Sequence, residues 1–127
     1  MEKINQEQQE LMFKLAMYEQ QIMQLQQQIQ AVEQAIVDLN SLNFGVGDLE
    51  GKKGKKIFAS IGKGIFAKAE LISENLLVDI GGKNLVKKSI PETKKLLERQ
   101  IGKLKNAQKE LNQCLEDVGR EVEMIVG

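Results

Sequence analysis

The sequence predicts an α+β protein: a long antiparallel coiled-coil hairpin of two helices, with two β-hairpins at its base. Three observations carry this reading. Residues 1–42 contain no glycine or proline and repeat apolar side chains at alternating steps of three and four. Residues 43–89 hold eight of the eleven glycines, set among short alternating runs. Residues 90–127 begin close to the only proline, Pro91, and return to the first rhythm. The expected organisation is one domain: an N-terminal helix over 1–42, a glycine-rich connection over 43–54, two β-hairpins over 55–88 and a C-terminal helix over 89–127.

In the first block the stripe is Ile4, Gln8, Leu11, Leu15, Tyr18, Ile22, Leu25, Ile29, Val32, Ile36 and Leu39, with Gln8 its one polar member. A narrow stripe held for five heptads is a coiled-coil seam, not a broad core-facing surface. At 1.5 Å per residue such a helix is about 60 Å long. In the last block Ile90, Lys94, Leu97, Ile101, Leu104, Gln108, Leu111, Leu115, Val118, Val122 and Ile125 follow the same alternation. Lys94 and Gln108 are polar exceptions of the kind that fix register at some expense in stability. Ser89 is placed to cap this helix, and Pro91 sits just inside its start, where a missing N–H matters least. Neither stripe can be buried alone, and the two blocks are nearly equal in length. Antiparallel pairing along the whole length follows, with the chain ends at one tip and the glycine-rich centre at the other.

The centre reads as four strands. Lys55–Ile61 and Ile65–Leu71 flank Gly62-Lys63-Gly64, and Asn75–Ile80 and Lys83–Lys88 flank Gly81-Gly82, a strong hairpin signal. So few strands cannot cover their own apolar faces and edges, so other subunits must do so. Ile57, Ala59, Ile61, Ile65, Ala67, Leu76, Val78, Ile80 and Val86 form the expected assembly set.

Composition excludes several classes of function. There is no histidine, which removes histidine-based triads and the usual zinc sets, and a single cysteine, Cys114, which cannot form an internal disulfide. Eighteen basic residues balance eighteen acidic ones, unlike a polybasic nucleic-acid binder. The local cluster Lys52, Lys53, Lys55 and Lys56 has no interleaved aromatics and reads as solvated charge. No apolar run is long enough to span a bilayer. No nucleotide loop or paired-carboxylate pocket is evident. The expectation is a cytoplasmic, non-enzymatic protein with no cofactor, no catalytic or metal-binding residue, no nucleic-acid partner and no membrane partner.

Two stretches carry a resemblance. Ser60-Ile61-Gly62-Lys63-Gly64-Ile65-Phe66-Ala67-Lys68-Ala69 is similar to the first hairpin of archaeal prefoldin alpha subunits. Asn75-Leu76-Leu77-Val78-Asp79-Ile80-Gly81-Gly82, with Asn84 to Lys88, is similar to the second. The resemblance implies an ATP-independent co-chaperone in which two such chains combine with four beta-type subunits through intersubunit β-barrels. It further implies coiled-coil arms that capture non-native polypeptides near their tips and pass them to a group II chaperonin. Ser60 departs from the family, where many relatives carry a strand proline.

Within that frame the expected client-binding residues are Met1, Ile4, Met12, Phe13, Met17, Met124 and Val126, apolar bulk grouped at the expected tip. Unbranched methionine suits surfaces that re-pack against varied partners. Residues 110–127 carry one basic and five acidic side chains, and residues 43–89 nine basic and five acidic, so the tip is acidic and the base basic. The alternative reading is a coiled-coil adaptor, structural homo-oligomer or filament without general chaperone activity.

Overall fold

A long helix opens the chain, four short strands follow, and a second long helix closes it. The computed structural model describes residues 5–127 in the order α1 (Gln6–Asp48), β1 (Lys56–Gly62), β2 (Ile65–Glu70), β3 (Asn75–Asp79), β4 (Leu85–Ser89) and α2 (Ile90–Val126). They form two compact units: one from the chain up to Val37 together with Gly102–Gly127, the other Asp38–Ile101.

Both helices start on side-chain caps. The Asn5 side-chain carbonyl accepts the Gln8 N–H at 2.8 Å, satisfying one of the donors a helix N-terminus leaves orphaned. At α2, Ser89 Oγ accepts the Glu92 N–H at 3.2 Å and donates to the Glu92 carboxylate at 3.1 Å, a variant of the capping box. Pro91 is the second helical residue, where no intrahelical donor is required.

The predicted seam is the buried face of each helix. From Leu15 to Leu39 every stripe position of α1 is half-buried or buried, as is every stripe position of α2. In the first unit the two helices of this seam run antiparallel: Gln108 donates to Glu33 at 3.4 Å, and Tyr18 bonds Glu121. In the second unit Val46, Ile90 and Leu97 form a buried cluster with Leu39, Leu49 and Leu76 packed against it. Ile90, only 1 % exposed, is its centre.

α1 continues to Asp48, well into the stretch expected to be a glycine-rich connection. The seam register extends through Asn43 to Val46, and burial of Val46 outweighs the roughly 1 kcal/mol by which each of Gly45 and Gly47 disfavours a helix. Gly47 also has a packing role. A Cβ there would lie 3.3 Å from Lys94 Nζ, so its absence leaves room for the seam lysine beside the end of α1.

The strands form two separate antiparallel pairs, β1–β2 and β3–β4. The first pairs Ile57 with Ala69 and Ala59 with Ala67, and slips register between Ser60 and Gly62. Beyond β2 the ladder is prolonged by the Leu71 N–H donating to the Lys55 carbonyl at 3.0 Å. The second pairs Leu76 with Lys88 and Val78 with Val86. Its turn is longer than the two-residue loop that Gly81-Gly82 suggests. Ile80 donates to the Asn84 carbonyl at 3.0 Å, and Asp79 Oδ1 accepts the Gly81 N–H at 2.9 Å. Gly81, Gly82 and Lys83 all take positive φ, so the chain re-enters the extended region only at Leu85.

Gly102 and Gly119 lie inside α2 with open space where a Cβ would stand. Replacing either with alanine is expected to stabilise the protein by about 0.5–1 kcal/mol, read as a rise in the urea midpoint. Gly47→Ala is expected to gain less, because Lys94 must shift.

Candidate functional site

The surfaces available for interaction fall in two places, one in each unit. In the first unit the Tyr18–Glu121 hydrogen bond brings the early turns of α1 to the closing turns of α2. At that end Met12, Phe13 and Met17 are exposed on α1, and Met124 (83 % exposed) and Val126 on α2. Five of the seven expected client-binding residues therefore present apolar surface at the same end of this unit. Met1 and Ile4 lie outside the described residues. Phe13 also borders an open depression of about 390 Å³ with Gln6, Gln9, Glu10 and Lys14. The acidic character is local: Glu116 and Asp117 flank Arg120 in exposed ion pairs at 3.7 and 3.8 Å, which contribute little to stability.

In the second unit the hairpins are apolar on both faces. Of the expected assembly residues, Ile57, Ala59, Ala67, Leu76, Val78 and Val86 lie half-buried, and Ile61, Ile65 and Ile80 are exposed. Leu76 packs against the chain's own Val46–Ile90–Leu97 cluster, so this face of β3–β4 has a cover within the chain. The opposite faces do not. Phe58 and Phe66 are exposed and sit diagonally across β1–β2, where Phe58 faces Lys68 and Ser60 faces Phe66. Leu77 and Leu85 sit diagonally across β3–β4 in the same way, opposite Lys87 and Asp79. Ile72, 81 % exposed, joins them from the connection between the hairpins. Sequence reasoning read each alternating run as one apolar face and so passed over these five residues. The signal was present: in Leu76-Leu77-Val78 three successive residues are apolar, so both faces of the strand are.

Among the described residues there is no group of three or more histidine, cysteine, aspartate or glutamate side chains able to hold a metal ion. Cys114 is exposed. No described helix is long and apolar enough to cross a membrane.

Known proteins with this arrangement decide the family. The pattern of the prefoldin subunit family matches residues 18–126, nearly the whole chain. The chain belongs to the prefoldin family. It is a homologue of archaeal prefoldin alpha subunits: 34 % identical over 92 residues to the prefoldin subunit alpha of Methanobrevibacter smithii, covering 72 % of this chain and 63 % of the relative. It is 33 % identical over 72 residues to that of Methanosphaera stadtmanae, covering 57 % and 52 %. The matched regions thus span little more than half the length of these relatives. A cryo-EM structure of filamentous PFD from Methanocaldococcus jannaschii has the same fold, with a TM-score of 0.77 at 19 % identity, over 87 % of this chain and 93 % of that one. The expected family resemblance and the prefoldin-like α+β fold, with long helices and small β-hairpins, both hold.

Tyr18 offers a probe of the helix register. Its phenol is raised above the ordinary value near 10, first because it donates a hydrogen bond to Glu121, then through desolvation and the nearby negative charge. A raised phenol stabilises the folded state at neutral pH, and that contribution is lost as pH rises through the folded pKa. Tyr18 is the only tyrosine and there is no tryptophan, so absorbance at 295 nm titrates this one group. Glu121→Gln is expected to lower the titration midpoint; an unchanged midpoint would mean that the two residues do not meet.

Proposed function

We propose that the chain is a subunit of an ATP-independent holdase: a co-chaperone that captures non-native polypeptides and passes them to a group II chaperonin in the cytoplasm. The observation that carries this reading is the cluster Met12, Phe13, Met17, Met124 and Val126, apolar and exposed at one end of a two-helix unit in a prefoldin-family fold. These side chains lie off the half-buried seam at that end and so have no packing use within the chain. Exposed, conformationally adaptable apolar groups beside acidic residues suit brief contact with many unfolded segments. Met1 and Ile4 belong to the same proposed surface.

Assembly is the second half of the proposal. Two-stranded sheets with open edges and apolar residues on both faces are unstable in water unless covered. Strands from neighbouring subunits would complete β-barrels on the set Ile57, Ala59, Ile61, Ile65, Ala67, Leu76, Val78, Ile80 and Val86, with Phe58, Phe66, Leu77 and Leu85 added from the opposite faces and Ile72 from the connection between the hairpins. The proposed complex holds two copies of this chain and four beta-type subunits. A homomeric filament is the second reading. It is favoured by the same open strand edges and by the fold shared with a protein whose solved form is filamentous.

The test of holding activity is suppression of aggregation of two unrelated unfolded proteins. Met12→Ser, Phe13→Ser and Met17→Ser together remove exposed side chains only, so each is expected to alter stability by less than about 0.5 kcal/mol. The triple variant is expected to need about tenfold more protein for equal protection, corresponding to about 1.4 kcal/mol of lost binding. Protection equal to the wild type would place client contact elsewhere.

A further inference from the structure

The outward side of α1 differs in chemistry from that of α2. Taking the seam as the inner face, the eleven positions on the far side of α1 between residues 13 and 37 are all exposed and contain no charged residue. Five are glutamine, and Phe13, Met17, Met23 and Val37 supply the apolar bulk. On α2 the corresponding positions of the same unit include Lys109, Glu116, Arg120 and Glu123. Charge is the ordinary dress of a coiled-coil outer face, so its absence from one helix and not the other needs a cause. Gln20, Met23, Gln24 and Gln27 also border an open depression of about 260 Å³ on this side.

We infer that this uncharged side of α1, from Phe13 to Val37, is a rail along which an extended non-native segment lies. The inference rests on the holding activity proposed above and extends it from the end of the unit along its length. Charge complementarity selects the occupant. A charge-free face imposes no desolvation penalty on ions when covered, and it favours a segment that is itself apolar and poor in charge. Glutamine carries both an N–H₂ donor and a carbonyl acceptor, the two groups that match the unpaired N–H and C=O of an unfolded main chain. A helix of a second copy fits less well. Phe13, Met17, Met23 and Val37 fall at steps of four, six and fourteen, not at the sustained three-and-four repeat that knobs-into-holes packing requires. From Phe13 to Val37 the helix rises about 36 Å, the length of about eleven residues of extended chain.

The test places a photo-crosslinking residue at Met23 in the full chain and offers two forms of one probe. These are reduced, carboxamidomethylated α-lactalbumin, which stays unfolded in native buffer, and the disulfide-intact folded protein. A covalent adduct with the unfolded form, at least about tenfold above the folded form, is expected. Gln20→Glu with Gln27→Glu is expected to weaken binding of the unfolded probe about fivefold. Asn106→Glu with Asn112→Glu adds the same two charges to exposed positions of α2 and is expected to leave binding unchanged. Circular dichroism checks that both double variants keep their helices. Adducts formed only with a second copy of the chain would overturn the rail. So would wild-type affinity in Gln20→Glu/Gln27→Glu when the Met12, Phe13 and Met17 variant has lost binding, an outcome that leaves the holding activity standing. Failure of the wild type to bind the unfolded probe would remove both.

Discussion

A helix whose sustained apolar repeat falls at every third and fourth residue is buried along that one stripe. Most of this structure follows from that constraint. Each helix needs the other's stripe, and the Tyr18–Glu121 and Glu33–Gln108 contacts give the antiparallel sense in which they meet. A seam of this width leaves the outer sides of both helices to solvent, whatever residues they bear. It also leaves the chain with very little interior: among the described residues only Ile29, Val46, Ile90, Leu97 and Ile101 are buried apolar side chains. A protein built this way has its chemistry on its surface.

The strands meet the same shortage of cover from the other direction. A two-stranded sheet has two faces and two open edges, and the chain's own core reaches one of them through Leu76. Phe58, Phe66, Leu77 and Leu85 remain on the far sides, each beside a charged or hydroxyl-bearing cross-strand partner that does nothing to cover it. Side chains of this size, exposed in diagonal pairs, make an apolar surface of the kind that interfaces cover. The exposed apolar surface is thus divided, with the strand faces in one unit and Met12, Phe13, Met17, Met124 and Val126 in the other.

How much of this could be read in advance depended on whether local pattern or distant packing decides. The seam was legible residue by residue because its period of three and four is a property of one helix alone, and its polar members Lys94 and Gln108 keep register in the structure. The hairpins were legible from glycine position and alternation to within about two residues at most ends. The end of α1 was not. Glycine at 45 and 47 argued for a break, yet Val46 is held in the helix by Ile90 and Leu97, which lie far off in sequence. The turn after Asp79 was lengthened by a side-chain hydrogen bond that no dipeptide rule contains. The second apolar face of the hairpins was legible but passed over, because alternation was taken to mean one face inward. At the end of the helical unit, the exposure of Met12, Phe13, Met17, Met124 and Val126 followed directly from their being off the seam.

The central claim is that the uncovered strand faces oblige this chain to associate, and native mass spectrometry of the chain with a beta-type subunit, beside the variant Leu77→Asp, tests it most directly. Leu77 is 65 % exposed, so the substitution should leave helicity intact by circular dichroism. The account predicts a multi-subunit complex for the wild type and single chains or small fragments of it for Leu77→Asp. A monomeric wild type, or a variant that assembles as the wild type does, would contradict it.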